Sequence, residues 1–414
     1  MKAVVFTLGC KVNECESDSL ICGLKEKGFT VSDKLEYADL YIVNTCAVTN
    51  EAEKKSRQTF SRIKKLNKNA KIIYTGCASQ FCPEAFRDKE NTVCVTGAFS
   101  KDKILEVLDK EGIFVFEEPK EFEEMLYPKT LRTRHFIKVQ DGCNNFCSYC
   151  LIPYLRGRSR SRDPEKIVKE ISELKPLEAV INGINLSAYN FNGTSLTGLI
   201  KALSEVESRI RLGSLEVNII TEEFLSSLKD LKNFAPHFHL SLQSGSNKVL
   251  KDMNRHYTRE EFLSKVNLIR EYFPTSAITT DIIVGYPSES EEDFLDTLNL
   301  AKDCKFSDIH AFPFSKRAGT RASKLKDLPS DIKKERLNVL LNEKANLKRQ
   351  FLEQFIGKNL EFLFEEYKNG FYQGYSENYI RVYLEEFNEC DKITKVKVKE
   401  LFLDGVKAQL IKEK

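Results

Sequence analysis

Short apolar, β-branched runs alternate with amphipathic, Lys/Glu-rich stretches along most of this 414-residue chain, and that rhythm constrains the fold more than any other feature. The runs Ala3–Thr7, Leu40–Asn44, Lys71–Thr75 and Thr92–Thr96 predict strands separated by helices, an order that favours a parallel sheet covered on its faces. Residues 1–118 therefore read as an open parallel α/β domain. No GxGxxG follows the first run, so a dinucleotide site is not supported. The stretch Glu117 to Arg134 is polar, carries two prolines and predicts a linker.

A second α/β series occupies residues 132–328. Its expected strands are Phe136–Gln140, Ala179–Gly183, Arg211–Leu215, His237–Leu242, Thr280–Val284 and Ile309–Phe314, with helical patterns such as Pro164–Leu174, Arg259–Tyr272 and Glu291–Cys304 between them. Six βα units are too few for a closed eight-fold barrel but suffice for a partial (β/α)6 barrel, whose strand C-termini form the working face. Residues 329–356 predict a long basic helix. Residues 357–414 are rich in Phe, Tyr and Val, with turn signals at Asn369-Gly370 and Asp404-Gly405, and predict a small antiparallel β-barrel.

The chain has no apolar run long enough to cross a bilayer and no signal-peptide profile at its start, so a cytoplasmic protein is expected. Its twelve cysteines are then not a disulfide framework, because that compartment keeps thiols reduced. Ordered spacings point to metal or catalytic use. Three thiols, Cys143, Cys147 and Cys150, fall in the loop after the strand Phe136–Gln140, as C-x3-C-x2-C. A structural zinc site needs a fourth ligand that no nearby Cys or His supplies. A redox pair would leave Cys143 without a purpose. An iron–sulfur cubane offers four irons, and three thiolates leave one iron open to another ligand.

Three further cysteines, Cys10, Cys46 and Cys77, each stand just after the C-terminal end of a predicted parallel strand. Those ends converge on one crevice in an open α/β sheet, so the three thiols are expected to meet in space. Cys15, Cys22, Cys82, Cys94, Cys304 and Cys390 show no repeated placement and read as structural thiols. His239 and His310 lie in barrel strands and read as core or pocket residues rather than metal ligands.

The loop triplet, with an aromatic before its last cysteine, resembles the cluster motif of radical S-adenosylmethionine (SAM) enzymes. With the second trio, the whole chain resembles the methylthiotransferase family. The matching stretches are TLGCKVN, NTCAVT, TGCASQ, SYCLIPYLRGRSRSR, HLSLQSGSNKVLKDMNRHYT, DIIVGYPSESEEDF and FPFSKRAGTRA, and the C-terminal segment resembles that family's TRAM module. TLGCKVN and NTCAVT look most like the enzymes that act on N6-threonylcarbamoyladenosine beside the tRNA anticodon. Val217 stands where the family usually has proline, and Ser288 where glycine is common.

The resemblance implies two 4Fe-4S clusters, one on Cys143, Cys147 and Cys150 and one on Cys10, Cys46 and Cys77, with SAM as cosubstrate. The aromatic C2–H of adenine is not acidic, so a radical rather than a general base would remove its hydrogen. Tyr149, Gly183, Asn185, Glu216, Gln243, Ser244 and Gly285 are the expected SAM-lining positions. Arg156, Arg158, Arg160 and Arg162 form an expected RNA-binding patch, with Arg156 and Arg162 at family arginine positions. Lys54 to Lys71, with eight Lys or Arg and no acid, and the basic stretch Lys316 to Gln350 would add phosphate contacts. Tyr372, Tyr375 and Tyr379 either stack on unpaired bases or fill the terminal barrel. The expected partners are a tRNA anticodon stem-loop and an electron donor such as flavodoxin or ferredoxin, with the chain acting as a monomer. The same chemistry on N6-isopentenyladenosine or on a ribosomal-protein aspartate is the alternative, and a non-catalytic RNA-binding iron–sulfur protein is the alternative of another class.

Overall fold

The structure, a computed structural model, describes residues 1–87, 89–127, 133–387 and 391–411. Six parallel strands form the N-terminal sheet in the spatial order Thr30–Ser32, Lys2–Thr7, Leu40–Thr45, Lys71–Gly76, Thr92–Thr96 and Gly112–Phe114. Both faces are buried, which is why its central strands read as continuous apolar runs. Ala3, Val5, Ile42 and Ile73 pack on one side with Leu20, Leu24 and Ile104. Val4, Tyr41, Val43, Ile72 and Tyr74 pack on the other with Ile63. Sequence direction reverses between Lys2–Thr7 and its neighbour Leu40–Thr45, the place where such sheets open a crevice.

The central domain is a partial barrel of two four-stranded sheets. One contains Arg209–Leu212, Glu178–Gly183, Arg134–Asp141 and the two-residue Arg160–Ser161; the other contains Ser214–Leu215, His237–Gln243, Ala277–Val284 and Asp308–Pro313. The expected third strand is thus split at Gly213, whose N–H donates to the Ile181 carbonyl at 2.8 Å and starts the second sheet. Alternation along each strand decides what faces where. Ile137, Val139, Ile181, Phe238, Leu240, Ile278 and Ile282 pack against the surrounding helices. Lys138, Gln140, Asn182, Arg211, His239 and Asp281 alternate with them on the concave side. The acids of PSESEED act at a helix start: the Ser290 side chain and Asp293 form a reciprocal capping box on Glu291–Cys304.

The helix Ser330–Glu353 leads to a closed five-stranded barrel, antiparallel except where Arg381–Leu384 pairs in parallel with Gly405–Leu410. This module docks on the N-terminal end of the central barrel. Arg211 donates to the carbonyls of Ser376 and Glu377 at 3.0 and 3.1 Å, and Arg134 pairs with Glu365. The Tyr379 ring stacks on His237 at 4.5 Å and on Tyr375 at 4.6 Å. Tyr375 and Tyr379 are therefore packed against protein, not presented to bases. Tyr372 packs against Phe364 and Phe387.

Candidate active site

Each cysteine trio is assembled by backbone that a side chain would obstruct. Gly76 holds φ +100°, and a Cβ there would lie 2.5 Å from both the Thr45 carbonyl oxygen and Asn44 Oδ1. Only glycine brings the next residue, Cys77, this close to the strand that ends just before Cys46. Gly142, with φ +72°, plays the same part ahead of Cys143, where a Cβ would collide with the Arg158 carbonyl.

In the N-terminal trio, Cys10 precedes the helix Lys11–Glu26, Cys46 follows Leu40–Thr45 and Cys77 opens the helix Cys77–Phe81. The Cys46 N–H donates to Ser56 Oγ at 3.2 Å. Burial pushes the Cys46 thiol up to about 12, with the neighbouring Cys77 and Cys10 sulfurs adding to the effect and a Val48 backbone contact opposing it. Asn13 binds the trio's loops together, donating to the carbonyls of Leu8 and Thr45 at 2.9 and 3.1 Å.

In the loop trio, each sulfur faces an N–H donor. The Ile152 N–H reaches Cys150 Sγ at 3.4 Å, Asn185 Nδ2 reaches Cys143 Sγ at 3.8 Å and Arg255 Nη1 reaches Cys147 Sγ at 3.4 Å. Burial pushes the Cys150 thiol up to about 12 against the opposing Ile152 contact. Partly buried sulfurs that each face an N–H donor, with a cation at Cys147, suit metal-bound thiolates, which need charge compensation that a neutral thiol does not. The six cysteines are free rather than paired in disulfides. The donor set therefore fits an iron–sulfur cluster at each trio.

The positions expected to line SAM divide. Glu216 accepts from Asn145, beside the cysteine loop, and pairs with Arg255 at 3.1 Å. Gln243 takes φ +69° at the end of its strand. Gly183 lies against Gln140, and the Asn185 N–H is taken by Gln140 Oε1 at 2.7 Å, so that backbone donor is occupied by the protein. Ser244 is buried, with its hydroxyl 3.4 Å from Thr297 Oγ1. The Gly285 N–H donates to Glu289 Oε2 at 2.7 Å, and a Cβ there would collide with Lys333 of the long helix. Tyr149 packs with Val249, Met253, Tyr286 and Phe314. Val217 is buried in a short 3-10 turn, and the Ser288 hydroxyl donates to Asp252 at 2.5 Å, so both departures from the family pattern are absorbed locally.

The arginine patch needs correction. Arg158 is exposed, its guanidinium 4.7 Å from the Phe146 ring centroid. Arg156, Arg160 and Arg162 are buried. Arg160 donates to the carbonyls of Arg158 and Arg156, and Arg162 pairs with Glu170 and Glu124. Arg156 is drawn inward by Glu16 and Asp141, and Arg162 by Glu124, all outside this basic run. Much of the second basic stretch is likewise paired: Arg317 with Glu53, Arg336 with Glu289 and Glu291, and Lys344 and Lys348 with Asp308. The helix Asn50–Leu66 and its following turn keep Lys54, Arg62, Lys65 and Lys68 exposed.

Sequence reasoning passed over Arg255, although it lies in the quoted stretch MNRHYT, because nothing local marks which sulfur it meets. It also passed over Asp281. His239 and His310 bond its two oxygens at 3.1 and 3.2 Å, and these three are the set among the described residues whose ligand atoms all lie within 4.8 Å. Burial raises the Asp281 pKa, but the two imidazoles outweigh it and hold the carboxyl well below its usual range. Cys15, Cys94 and Cys304 are buried, in keeping with structural thiols, and Cys390 lies outside the described residues.

A partial barrel with a three-cysteine loop after its first strand, joined to a second three-cysteine crevice, defines a radical SAM enzyme with an added domain. Residues 137–301 match the radical SAM superfamily, and residues 2–97 match an uncharacterized protein family, UPF0004. The threonylcarbamoyladenosine tRNA methylthiotransferase MtaB of Aquifex aeolicus is 39% identical, over 96% of this chain and all of that protein. Its counterpart from Bacillus subtilis is 36% identical, over 96% and 94%. The tRNA-2-methylthio-N(6)-dimethylallyladenosine synthase of Clostridium novyi is 35% identical, over 87% and 85%. The chain belongs to the radical SAM methylthiotransferase family, enzymes that transfer sulfur-containing groups. The fold is also similar to the solved structure of the radical SAM methyltransferase TsrM from Kitasatospora setae, with TM-score 0.54 and 13% identity, over 75% of this chain and 72% of that one. No helix among the described residues is long and apolar enough to cross a membrane.

Proposed function

We propose that this chain methylthiolates C2 of N6-threonylcarbamoyladenosine next to the anticodon of tRNA, in the cytoplasm, consuming SAM in two steps at two iron–sulfur clusters. The single observation that carries this reading is the convergence of Cys10, Cys46 and Cys77 in one crevice, joined through Arg156 to the strand and loop that carry Cys143, Cys147 and Cys150. The near full-length likeness to methylthiotransferases of threonylcarbamoyladenosine favours that nucleoside over N6-isopentenyladenosine or a protein aspartate.

When bound, SAM and the loop cluster would supply a 5′-deoxyadenosyl radical on reduction by a donor such as flavodoxin or ferredoxin, and the N-terminal cluster would supply the sulfur site. Cys143, Cys147 and Cys150 would hold the first, and Cys10, Cys46 and Cys77 the second. The protein's own part is to hold and shield. Arg255 and Asn185 orient the loop sulfurs, and Glu216 fixes Arg255. The polar concave face, with Asn182, His239 and Asp281, offers hydrogen bonds to a bound nucleoside, and the exposed basic helix Asn50–Leu66 offers phosphate contacts to RNA.

Nucleoside mass spectrometry of tRNA from cells with and without the gene tests the substrate. Selective loss of 2-methylthio-N6-threonylcarbamoyladenosine is the expected result, and its persistence would refute the reading. Anaerobic incubation with SAM and reductant tests the class, since a non-catalytic RNA-binding protein would release no 5′-deoxyadenosine. Cys147→Ala should abolish that release.

A further inference from the structure

The helix Ile152–Arg156 begins two residues after Cys150, yet it is built into the N-terminal domain. Leu151 and Leu155 are buried in the core that contains Val43, Tyr74, Cys77 and Ala78. The helix thereby delivers Arg156, 1% exposed, to the underside of the N-terminal trio. Arg156 Nε lies 3.3 Å from Cys77 Sγ. Nη2 donates to Asn13 Oδ1 at 2.7 Å and to Glu16 Oε2 at 3.2 Å. Nη1 donates to Glu16 Oε1 at 2.7 Å and to both Asp141 oxygens at 3.2 Å. The planar fork is fixed on its far edges by carboxylates of both domains, which leaves Nε aimed at the sulfur.

The charge around it has a direction too. Among the described residues, the ion pairs of this network join four cations, Arg156, Lys101, Lys138 and Arg160, to three carboxylates, Glu16, Asp141 and Glu118. The cations outnumber the carboxylates by one, and a cluster-bound thiolate at Cys77 would balance the difference. Hydrogen bonds and cationic charge at cluster sulfurs are established levers on reduction potential.

We propose that Arg156, supplied by the radical SAM barrel, is the positioning residue of the N-terminal cluster: it orients Cys77 and raises that cluster's reduction potential. This role rests on the proposed function, because it requires a cluster at Cys10, Cys46 and Cys77. It also explains why an arginine in a sequence as basic as RGRSRSR is fully buried.

The test uses the full chain with Cys143, Cys147 and Cys150 all changed to Ala, so that only the N-terminal trio can hold a cluster. After anaerobic reconstitution, iron and sulfide content, the electron paramagnetic resonance spectrum of the reduced cluster and its midpoint potential are measured. In that background Arg156→Met should shift the potential downward and alter the spectrum while iron content stays near that of the parent. Arg156→Lys, which keeps the charge and loses the Nε donor, should shift it less. If the Met variant fails to fold because Glu16 and Asp141 lose one of their cations, the Lys variant carries the test. An unchanged potential and spectrum in a folded, iron-loaded variant overturns the role of Arg156 alone. Absence of iron from the trio with Arg156 intact overturns the proposed function, and this role with it.

Discussion

Arg255 places Nη1 3.4 Å from Cys147 Sγ while the same Nη1 pairs with Glu216 at 3.1 Å, so one guanidinium joins the cysteine loop to the end of the third barrel strand. Arg255→Ala removes a charged donor from a partly buried sulfur and leaves Glu216 without its cation, held by Asn145 alone. The expected loss of stability is about 2 kcal/mol, read by chemical denaturation. The rate of 5′-deoxyadenosine release should fall, and Arg255→Lys should recover only part of it, because an ammonium lacks the Nε and Nη2 donors that fix the guanidinium on Tyr257 Oη and the Ser241 carbonyl.

Gly76→Ala tests the assembly of the N-terminal trio. The added Cβ meets backbone on the adjacent strand at 2.5 Å, and φ +100° is strained for any L side chain. The expected destabilisation is about 1–3 kcal/mol from the conformation alone, with the steric clash added to it. Reconstituted protein should lose the iron bound at Cys10, Cys46 and Cys77 and keep that at Cys143, Cys147 and Cys150. Full iron content at both trios would show that Cys77 does not depend on this turn.

Acid should loosen the contact between the central barrel and the terminal module. Burial raises the Glu178 pKa, but Arg211 and Arg209 outweigh it and hold the carboxyl down to about 2. The unfolded value is about 4.3, so this group's contribution is complete above that pH and is lost as pH falls toward 2. Denaturant midpoints should drop across that window. Glu178→Gln should remove this part of the pH dependence and lower stability near neutrality by about 3 kcal/mol, because two buried arginines lose their counter-charge.

Tandem replacement of Lys54, Lys65 and Lys68 by alanine tests the RNA surface. Affinity for tRNA should fall, and the slope of log K against log salt should become shallower by up to about two to three if each lysine meets a phosphate. Cluster content should not change. An unaltered salt slope would move the RNA surface elsewhere on the molecule.

The strands of the N-terminal sheet were legible because parallel strands buried on two faces are apolar along their length, and those of the central barrel because apolar outward positions alternate with polar concave ones. The edge strands Thr30–Ser32 and Gly112–Phe114 were not, since three half-covered residues carry no pattern. The split at Gly213 was also hidden: it depends on a hydrogen bond to Ile181, on a neighbouring strand. The six candidate ligand cysteines could be chosen by their place after strands. By contrast, RGRSRSR reads as a solvated surface in any local window. Three of its four arginines are buried because Glu16, Asp141 and Glu124 from other parts of the chain, and Glu170 from the following helix, are folded against them.

The sequence alone determined the order of elements, the family and the two thiol trios, because periodicity and spacing are local properties of a chain. Tertiary structure alone decided which charges face water and which face sulfur. Arg156 and Arg158 are two residues apart in one basic run, yet one is sealed beneath Cys77 and the other lies exposed over Phe146. That difference arises where two domains meet, since Arg156 stays buried on counter-charge from both, Glu16 of one and Asp141 of the other.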